Sequence, residues 1–334
     1  MQAVYLTTDE EVFWKDQIAR HYYFTVRSIE LVQLAANITL KVCTGAGEFY
    51  LRLYRETGRS RTEIGGEMRA LEAFRSVGEV HVVKPVRLKG GGFVFSCRYQ
   101  HRRRWAALFN LAPGDLLPPN AFGIRRLGEA LGILHKQMVH VFPVGRPFDA
   151  EMIVSRAVTN ASKIGPGFRS ASTRMKQEGG ALIARLAASA PLPLGFCHGD
   201  VWLGKNVHFQ GGRVTFFDFD DCVDGPLAID LATPIAGFWC AGLTDFPAHI
   251  YSFLDAYNAV RSLQVSEILA IPTLILVYEF RLLGFLSGYC QLTPYEWEMA
   301  VDQFERQVEA WKPDGTASLA ISLVSNRLDL KTKF

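Results

Sequence analysis

The sequence predicts an α+β chain of two lobes, and three observations predict it. Up to about residue 110 short apolar runs alternate at the period of strands, interrupted by two helical intervals. Beyond residue 119 the long segments repeat at helical spacing. At 334 residues the chain is also long for a single core. The expected organisation is a β-rich N-terminal lobe over 1–110, a Pro- and Gly-rich connection over 111–119, and a mostly helical C-terminal lobe over 120–334.

Residues 8–22 form the first expected helix: Thr8 and Glu11 make a capping box, and Val12, Phe13, Ile18 and Ala19 recur at helical spacing. Segments 24–34, 36–43 and 48–54 alternate as strands, with Thr44-Gly45-Ala46-Gly47 as the turn of a hairpin. Arg61–Arg75 reads as a helix with Met68, Leu71 and Phe74 on one face. Short strands 82–88 and 93–99 flank a Gly90-Gly91-Gly92 turn, and Trp105–Asn110 is the last strand before Ala112-Pro113-Gly114 breaks it. Helices follow over 120–139, 172–189, 228–241, 246–260, 265–288 and 294–311, with a strand-rich island at 194–221 among them. After Pro313 the tail is polar and reads as poorly ordered at its end.

The bulk numbers exclude several classes. A net charge of +3 is too small to argue for a nucleic acid or a membrane surface as partner. The run His101-Arg102-Arg103-Arg104 reads as a solvated hairpin turn, because a nucleic-acid contact needs a larger basic face. The six cysteines form no CxxC pair, which argues against a zinc or redox motif and for reduced thiols in a cytosol. No signal peptide is visible in the opening MQAVYLTTDEEVFW. The longest apolar run, Ile268–Tyr278, contains Pro272 and is followed by Glu279 and Arg281; it reads as a buried helix.

The chemistry concentrates in FCHGDVWLGKNVHFQGGRVTFFDFDD, residues 196–221. It reads as a strand, a loop with His198, Asp200 and Asn206, a hairpin, and an acidic strand end. One carboxylate suited to a substrate hydroxyl and another suited to a metal on phosphates are the parts of phosphoryl transfer. Asp200 projects from a strand-ending loop, where it would orient a hydroxyl and accept its proton. Asp218 is the first acid after the bulky strand Val214–Phe217, placed to hold Mg²⁺ through hard oxygen atoms. Asp220 falls on the same face if the strand continues; Asp221 and Asp224 fall in the loop beyond, where Asp224 reads equally as a solvated acid. Asn206 offers an amide oxygen to a second metal position. His198 reads as a ring that shapes the loop by bonding backbone, and His208 as a packed or surface histidine.

In the N-terminal lobe there is neither a GxGxxG loop nor a GxxxxGK[ST] loop; the hairpin 34–54 is the candidate cover for phosphates. Arg52 alternates with apolar strand residues and reads either as a phosphate contact or as a solvent-facing arginine. Glu67 on the following helix is a candidate partner for Arg52, with Glu63 and Glu72 as competitors.

These motifs together resemble the aminoglycoside phosphotransferase/choline kinase family, a branch of the protein-kinase-like fold, and most of all its homoserine kinase and stress-response kinase A branch. The resemblance runs over about 24–311 and rests on His198-Gly199-Asp200, Phe217–Asp221, Gly225–Ala232, Leu51–Arg55 and Leu127–His135. It implies two lobes with ATP and Mg²⁺ between them. Asp200 would be the catalytic base and Asn206 and Asp218 the metal ligands. Arg52 would be the strand cation paired with Glu67, and Asp230 a structural aspartate at a helix start. Phe109–Ala112, with Phe109 and Leu111 as its named contacts, would be the hinge that contacts adenine through backbone.

One departure stands out. The family places Asn five residues after the catalytic Asp, where this chain has Lys205, with Asn206 sixth. A loop expanded by one residue delivers Asn206 to the metal. If Lys205 takes the position instead, its ammonium opposes Mg²⁺ and a nucleotide-binding pseudokinase results. The leading expectation is an ATP-dependent kinase acting on the hydroxyl of a small molecule (an amino alcohol, amino acid or aminoglycoside-like compound). A protein Ser/Thr acceptor is the alternative. The acids Asp200, Asp220, Asp221 and Asp224 would favour an acceptor bearing an ammonium group, with Trp202 and Trp239 as cation–π partners or simply as packing.

Overall fold

The computed structural model describes residues 6–139, 141, 143–162, 169–290 and 292–328. Helix α1 (Thr8–His21) precedes strands β1 (Val26–Leu34), β2 (Ile38–Thr44) and β3 (Gly47–Leu53). Helix α2 (Arg61–Ala73), β4 (Val80–Val82), β5 (Val94–Tyr99) and β6 (Arg102–Asn110) complete the N-terminal half. An antiparallel sheet runs in the order β1-β2-β3-β6-β5. Alternation along β2 and β3 turns Leu40, Val42, Leu51 and Leu53 inward, where they meet Trp14 and Ile18 of α1 in one apolar cluster. The opening residues 1–5 lie outside the described residues.

Several N-terminal expectations are corrected. The capping box of α1 is Thr7 with Glu10, one residue earlier than expected, because Thr7 and not Thr8 has the extended backbone a cap needs. The expected strand 82–88 does not form: past Val82 its residues make only an isolated bridge to β6 at Pro85 and Phe109, and the strand of this region, β4, ends at Val82 and lies outside the N-terminal sheet. It pairs in parallel with β10 (Arg213–Phe216), in a sheet ordered β4-β10-β9-β7 with β9 (Val207–Gln210) and β7 (Asp115–Leu116). The turn before β6 is Gln100–His101, both at positive φ, so Arg102, Arg103 and Arg104 lie on the strand rather than in a loop.

The C-terminal half is mostly helical: α3 (Ala121–Met138), α4 (Ala150–Ala161), α5 (Arg169–Ala188), α6 (Ile229–Cys240), α7 (Phe246–Val260), α8 (Val265–Tyr289), α9 (Pro294–Trp311) and α10 (Thr316–Ser325). Between α5 and α6, strand β8 (Leu194–Cys197) pairs with β11 (Val223–Pro226). Helices α3 and α7 approach closely at Gly128 and Gly132, where a side chain would meet the Phe253 carbonyl and Val260. Helix α4 was not expected from the sequence. Nor was α10: the expected loose tail instead buries Ala317, Ile321 and Val324, and Ser318 donates to the Trp311 carbonyl at 2.9 Å. The tail's last residues, 329–334, lie outside the described residues.

Helix α8 is long and apolar enough, by length and composition, to cross a bilayer. Ile268, Ile271, Leu274, Ile275 and Phe280 are buried in the protein's own core, and the buried Glu267 pairs with Arg261 at 2.8 Å. The far end of this helix reaches the candidate site.

Candidate active site

The loop after β8 is built by its own backbone partners. Asp230, fully buried at the start of α6, accepts the N–H groups of His198 (2.6 Å) and Gly199 (2.7 Å) and faces the His135 ring at 3.1 Å. The His198 Nε2 meets the Phe217 carbonyl at 2.9 Å, tying the loop to the acidic segment. Gly199 is at φ +81, and a side chain there would collide with the Asp221 carbonyl, so only glycine lets the two segments touch.

Asp200 leaves this loop with one oxygen fully occupied. Its Oδ1 accepts from Trp202 Nε1 (3.1 Å), Tyr278 OH (3.0 Å) and Arg281 Nη2 (3.1 Å). Among the described residues, its Oδ2 has only the Lys205 ammonium near it, at 3.7 Å. Burial pushes the Asp200 carboxyl above the ordinary aspartate range, with Arg281 opposing that rise and Asp221 adding to it.

The segment between Asp200 and Asn206 makes a turn. Trp202 carbonyl accepts from Lys205 N (3.2 Å) and Asn206 N (3.4 Å), with Gly204 at φ +74. Lys205 is carried outward, its side chain 62% exposed, while Asn206 returns inward at 1% exposure. Asn206 Nδ2 donates to the Asp200 carbonyl, and its Oδ1 accepts Trp202 N at 2.8 Å.

The strand ahead of Asp218 ends at Phe216, so the expected alternation to Asp220 does not occur. Asp218 takes a left-handed backbone (φ 65, ψ 58) and starts a single 3-10 turn, Phe219–Asp221. Its side chain stays 42% exposed and receives Arg52 Nη2 at 2.7 Å. Asp220 points the other way, into the protein, onto Arg55 (2.7 Å) and Asn37 (2.9 Å). Asp221 receives Arg59 at 2.6 Å and Arg281 at 3.2 Å. Burial acts to raise both carboxyls, but Arg59 and Arg55 hold Asp220 below the ordinary range, and Arg281 and Arg59 hold Asp221 well below it. Asp224 lies on β11 and accepts the N–H groups of Val144 (3.0 Å), Gly145 (2.9 Å) and Arg146 (3.3 Å). Three of the four acids expected to attract an ammonium group are therefore already engaged.

From the N-terminal side, Arg52 also faces Glu67 at 3.7 Å and lies 5.4 Å over the Phe109 ring. Glu67 is fully buried and binds Arg146 (3.3 Å) and Tyr54 OH (3.1 Å). Burial lifts its carboxyl to about 7, against the pull of Arg146 and Arg52. Of its competitors, Glu63 faces Arg146 at 3.9 Å and Glu72 pairs with Arg87. Phe109 is buried at the end of β6. Leu111 lies just past the last paired residue, more than a third exposed, with its backbone outside the strand ladder. His208 packs on Phe217 and meets the Ala112 carbonyl at 2.9 Å, and Trp239 packs on Phe246 and Trp311.

Residues 29–264 match the model of the APH phosphotransferase enzyme family. The chain belongs to that family. A homoserine kinase of Methylorubrum populi is 33% identical over 180 residues, 51% of this chain and 54% of that protein. Two solved structures share the fold. An amicoumacin kinase in complex with AMP-PNP, Ca²⁺ and Ami has a TM-score of 0.72 and 19% identity, covering 90% of this chain and 93% of that one. A microcompartment-associated aminopropanol kinase has a TM-score of 0.71 and 21% identity, covering 93% and 100%. This APH protein is thus an ATP-dependent phosphotransferase.

The donors present fit a magnesium ion. Among the described residues no cluster of three His, Cys, Asp or Glu could hold a metal by itself. Mg²⁺ on a nucleotide takes one or two protein oxygens and completes its shell with phosphate and water. The half-exposed carboxylate of Asp218 and the amide oxygen of Asn206, which accepts a single N–H, are such donors. Their segments touch where Phe217 N donates to the Asn206 carbonyl at 3.1 Å. Tyr278, Arg281, Arg55, Arg59, Asn37 and Arg146 were not picked out as site residues from the sequence. The signal present for the arginines was their density over 52–61, where Arg52, Arg55, Arg59 and Arg61 recur within ten residues.

Proposed function

We propose that this APH phosphotransferase moves the γ-phosphoryl group of ATP to the hydroxyl of a small amino-bearing molecule, with Asp200 as catalytic base. The acceptor is an amino alcohol, an amino acid or an aminoglycoside-like compound. The observation that carries the reading is the state of Asp200: Oδ1 is saturated by three donors, and Oδ2 is left for an incoming hydroxyl. Asp200 orients the hydroxyl and takes its proton as the acceptor oxygen bonds to phosphorus and the bond to the β-phosphate oxygen breaks. Asn206 and Asp218 would hold Mg²⁺, which supplies charge neutralisation for the phosphates when bound. Arg52, beside Asp218 at 2.7 Å, would offer its guanidinium to the phosphates. The backbone from Phe109 to Ala112 would receive the adenine. The reduced cysteines agree with action in the cytosol, where ATP is available.

An expanded loop with Asn206 at the metal is favoured over a pseudokinase by the bond from the Asn206 amide to the Asp200 carbonyl. The test is ADP release with Mg²⁺ against separate pools of amino alcohols, hydroxy amino acids, aminoglycosides, sugars and a generic protein. The expected result is turnover with one of the amino-bearing pools, lowered by at least about 10²-fold in Asp200→Asn. Phosphorylation of the protein pool alone would replace the acceptor with Ser/Thr. ATP binding without turnover in any pool would make the chain a pseudokinase.

A further inference from the structure

We infer that Arg281 is a positioning residue for phosphoryl transfer: it sets the orientation of the Asp200 carboxylate and makes that setting depend on how the N-terminal half docks. The inference rests on the reading of Asp200 as the base. Arg281 and Tyr278 are three residues apart on α8 and so share one helix face, with the guanidinium 4.7 Å over the Tyr278 ring. That face meets Asp200, and both side chains bond its Oδ1. A carboxylate rotates over a broad torsional range unless its oxygens are held. Three donors on Oδ1 leave Oδ2 as the oxygen able to accept the hydroxyl proton.

Arg281 differs from the other two donors because it faces a second carboxylate. Its Nη1 is 3.2 Å from Asp221 Oδ2 while its Nη2 is 3.1 Å from Asp200 Oδ1. Asp221 in turn holds Arg59 at 2.6 Å and Arg55 at 3.7 Å, both from the segment joining β3 to α2. Arg59 also donates to the Asp220 carbonyl at 3.1 Å. A continuous chain, Asp200–Arg281–Asp221–Arg59, therefore runs from the candidate base to the segment that follows Arg52. A planar guanidinium can bond in two directions at once, and a lysine ammonium at this position cannot reproduce that fork. The N-terminal half would then act on the base through Arg281 without touching it.

The experiment measures ADP release, which counts transfer to any acceptor including water. Apparent kcat and KM for ATP are obtained at a fixed concentration of the pooled acceptors, for Arg281→Ala, Arg281→Lys, Asp221→Asn, the Arg281→Ala/Asp221→Asn pair and Asp200→Asn. Displacing a reacting group by about an ångström costs on the order of 10²-fold. Arg281→Ala is expected to lose about that factor in kcat with KM for ATP within about twofold. Added guanidinium ion should restore part of the loss, and Arg281→Lys should fall between wild type and Arg281→Ala. The paired variant should be no slower than Arg281→Ala alone, because both changes cut one chain. Thermal unfolding of each variant separates misfolding from misplacement, and guanidinium rescue is a gain that a merely unfolded protein does not show. If Asp200→Asn is inactive while Arg281→Ala keeps kcat within threefold of wild type, the inference is overturned and the base assignment stands. A loss in Arg281→Ala that appears only in KM for ATP, or that guanidinium leaves unchanged, overturns it equally. If Asp200→Asn keeps wild-type turnover, the base assignment fails and takes this inference with it.

Discussion

Asn206 is the residue on which the loop's departure from the family spacing turns. The turn Trp202–Lys205 sends Lys205 outward, and Asn206 comes back beneath Asp200 with both ends of its amide engaged. Asn206→Ala leaves the Asp200 carbonyl and the Trp202 N–H without those partners, a loss of about 1–3 kcal/mol in stability. The proposed metal role adds a second effect that bracing alone does not produce. Half-maximal activity in Asn206→Ala should require several-fold more Mg²⁺, measured by titrating the metal at saturating ATP. An unchanged Mg²⁺ requirement would leave Asn206 as a brace only. Asp200, Asn206 and Asp218 could be picked out as candidates because they sit in the loops bounding short strands, Asp200 and Asp218 just after β8 and β10 and Asn206 just before β9. Arg281 and Tyr278 were hidden: their sequence setting is an apolar helix, and their meaning comes only from the 81 and 78 residues of separation across which they reach Asp200.

Helix α8 shows what one element is asked to do at two of its faces. Its apolar stripe is core, which the sequence made plain through the long run Ile268–Tyr278, whereas the polar end carries the groups that reach the site. α4 and α10 are short, 12 and 10 residues, so each offers few turns in which a helical period can show, and β4 was hidden because its partner β10 lies more than 130 residues away. Between the two useful faces of α8 sits Glu279, buried with no ion pair among the described residues; burial alone lifts its carboxyl from 4.5 to about 7. The native state thus holds this proton more tightly than the unfolded chain. Its stabilising effect is complete below about 4.5, fades as pH rises, and is gone above about 7. Glu279→Gln removes the titration. Its stability relative to wild type should therefore rise between pH 5 and pH 8, by up to about 2–3 kcal/mol. Urea midpoints at the two pH values measure this, and an equal difference at both would show that Glu279 does not titrate in that window.

At the scale of the whole molecule, charge adds to apolar packing in joining the N-terminal connector to the acidic segment: Tyr54 and Phe219 share the larger apolar cluster, and the ion pairs surround that contact. One apolar cluster lies on the N-terminal sheet and α1, and the larger one spreads from α2 through the helices. Between them Arg52, Arg55 and Arg59 face Asp218, Asp220 and Asp221, with Asn37 and the Tyr289 hydroxyl adding hydrogen bonds across the join. Directional contacts of this kind hold one arrangement closely yet can be exchanged for a ligand's charges, as a nucleotide phosphate requires. The most buried of these three arginine–aspartate pairs, Arg55 with Asp220, is the one to break. Arg55→Ala strands a buried carboxylate that keeps only Arg59 and Asn37, and should cost about 3–5 kcal/mol. Asp220→Asn strands the guanidinium in the same way. Because each single change pays for an orphaned charge that the double change removes, the double variant should be less destabilised than the sum, with a coupling of about 1–3 kcal/mol. Screening falls mainly on exposed charges, so the coupling should persist from 0.05 to 0.5 M salt in urea unfolding. A coupling near zero, or one that vanishes with salt, would mean the join is wetter than the structure has it and that the halves are held by packing alone.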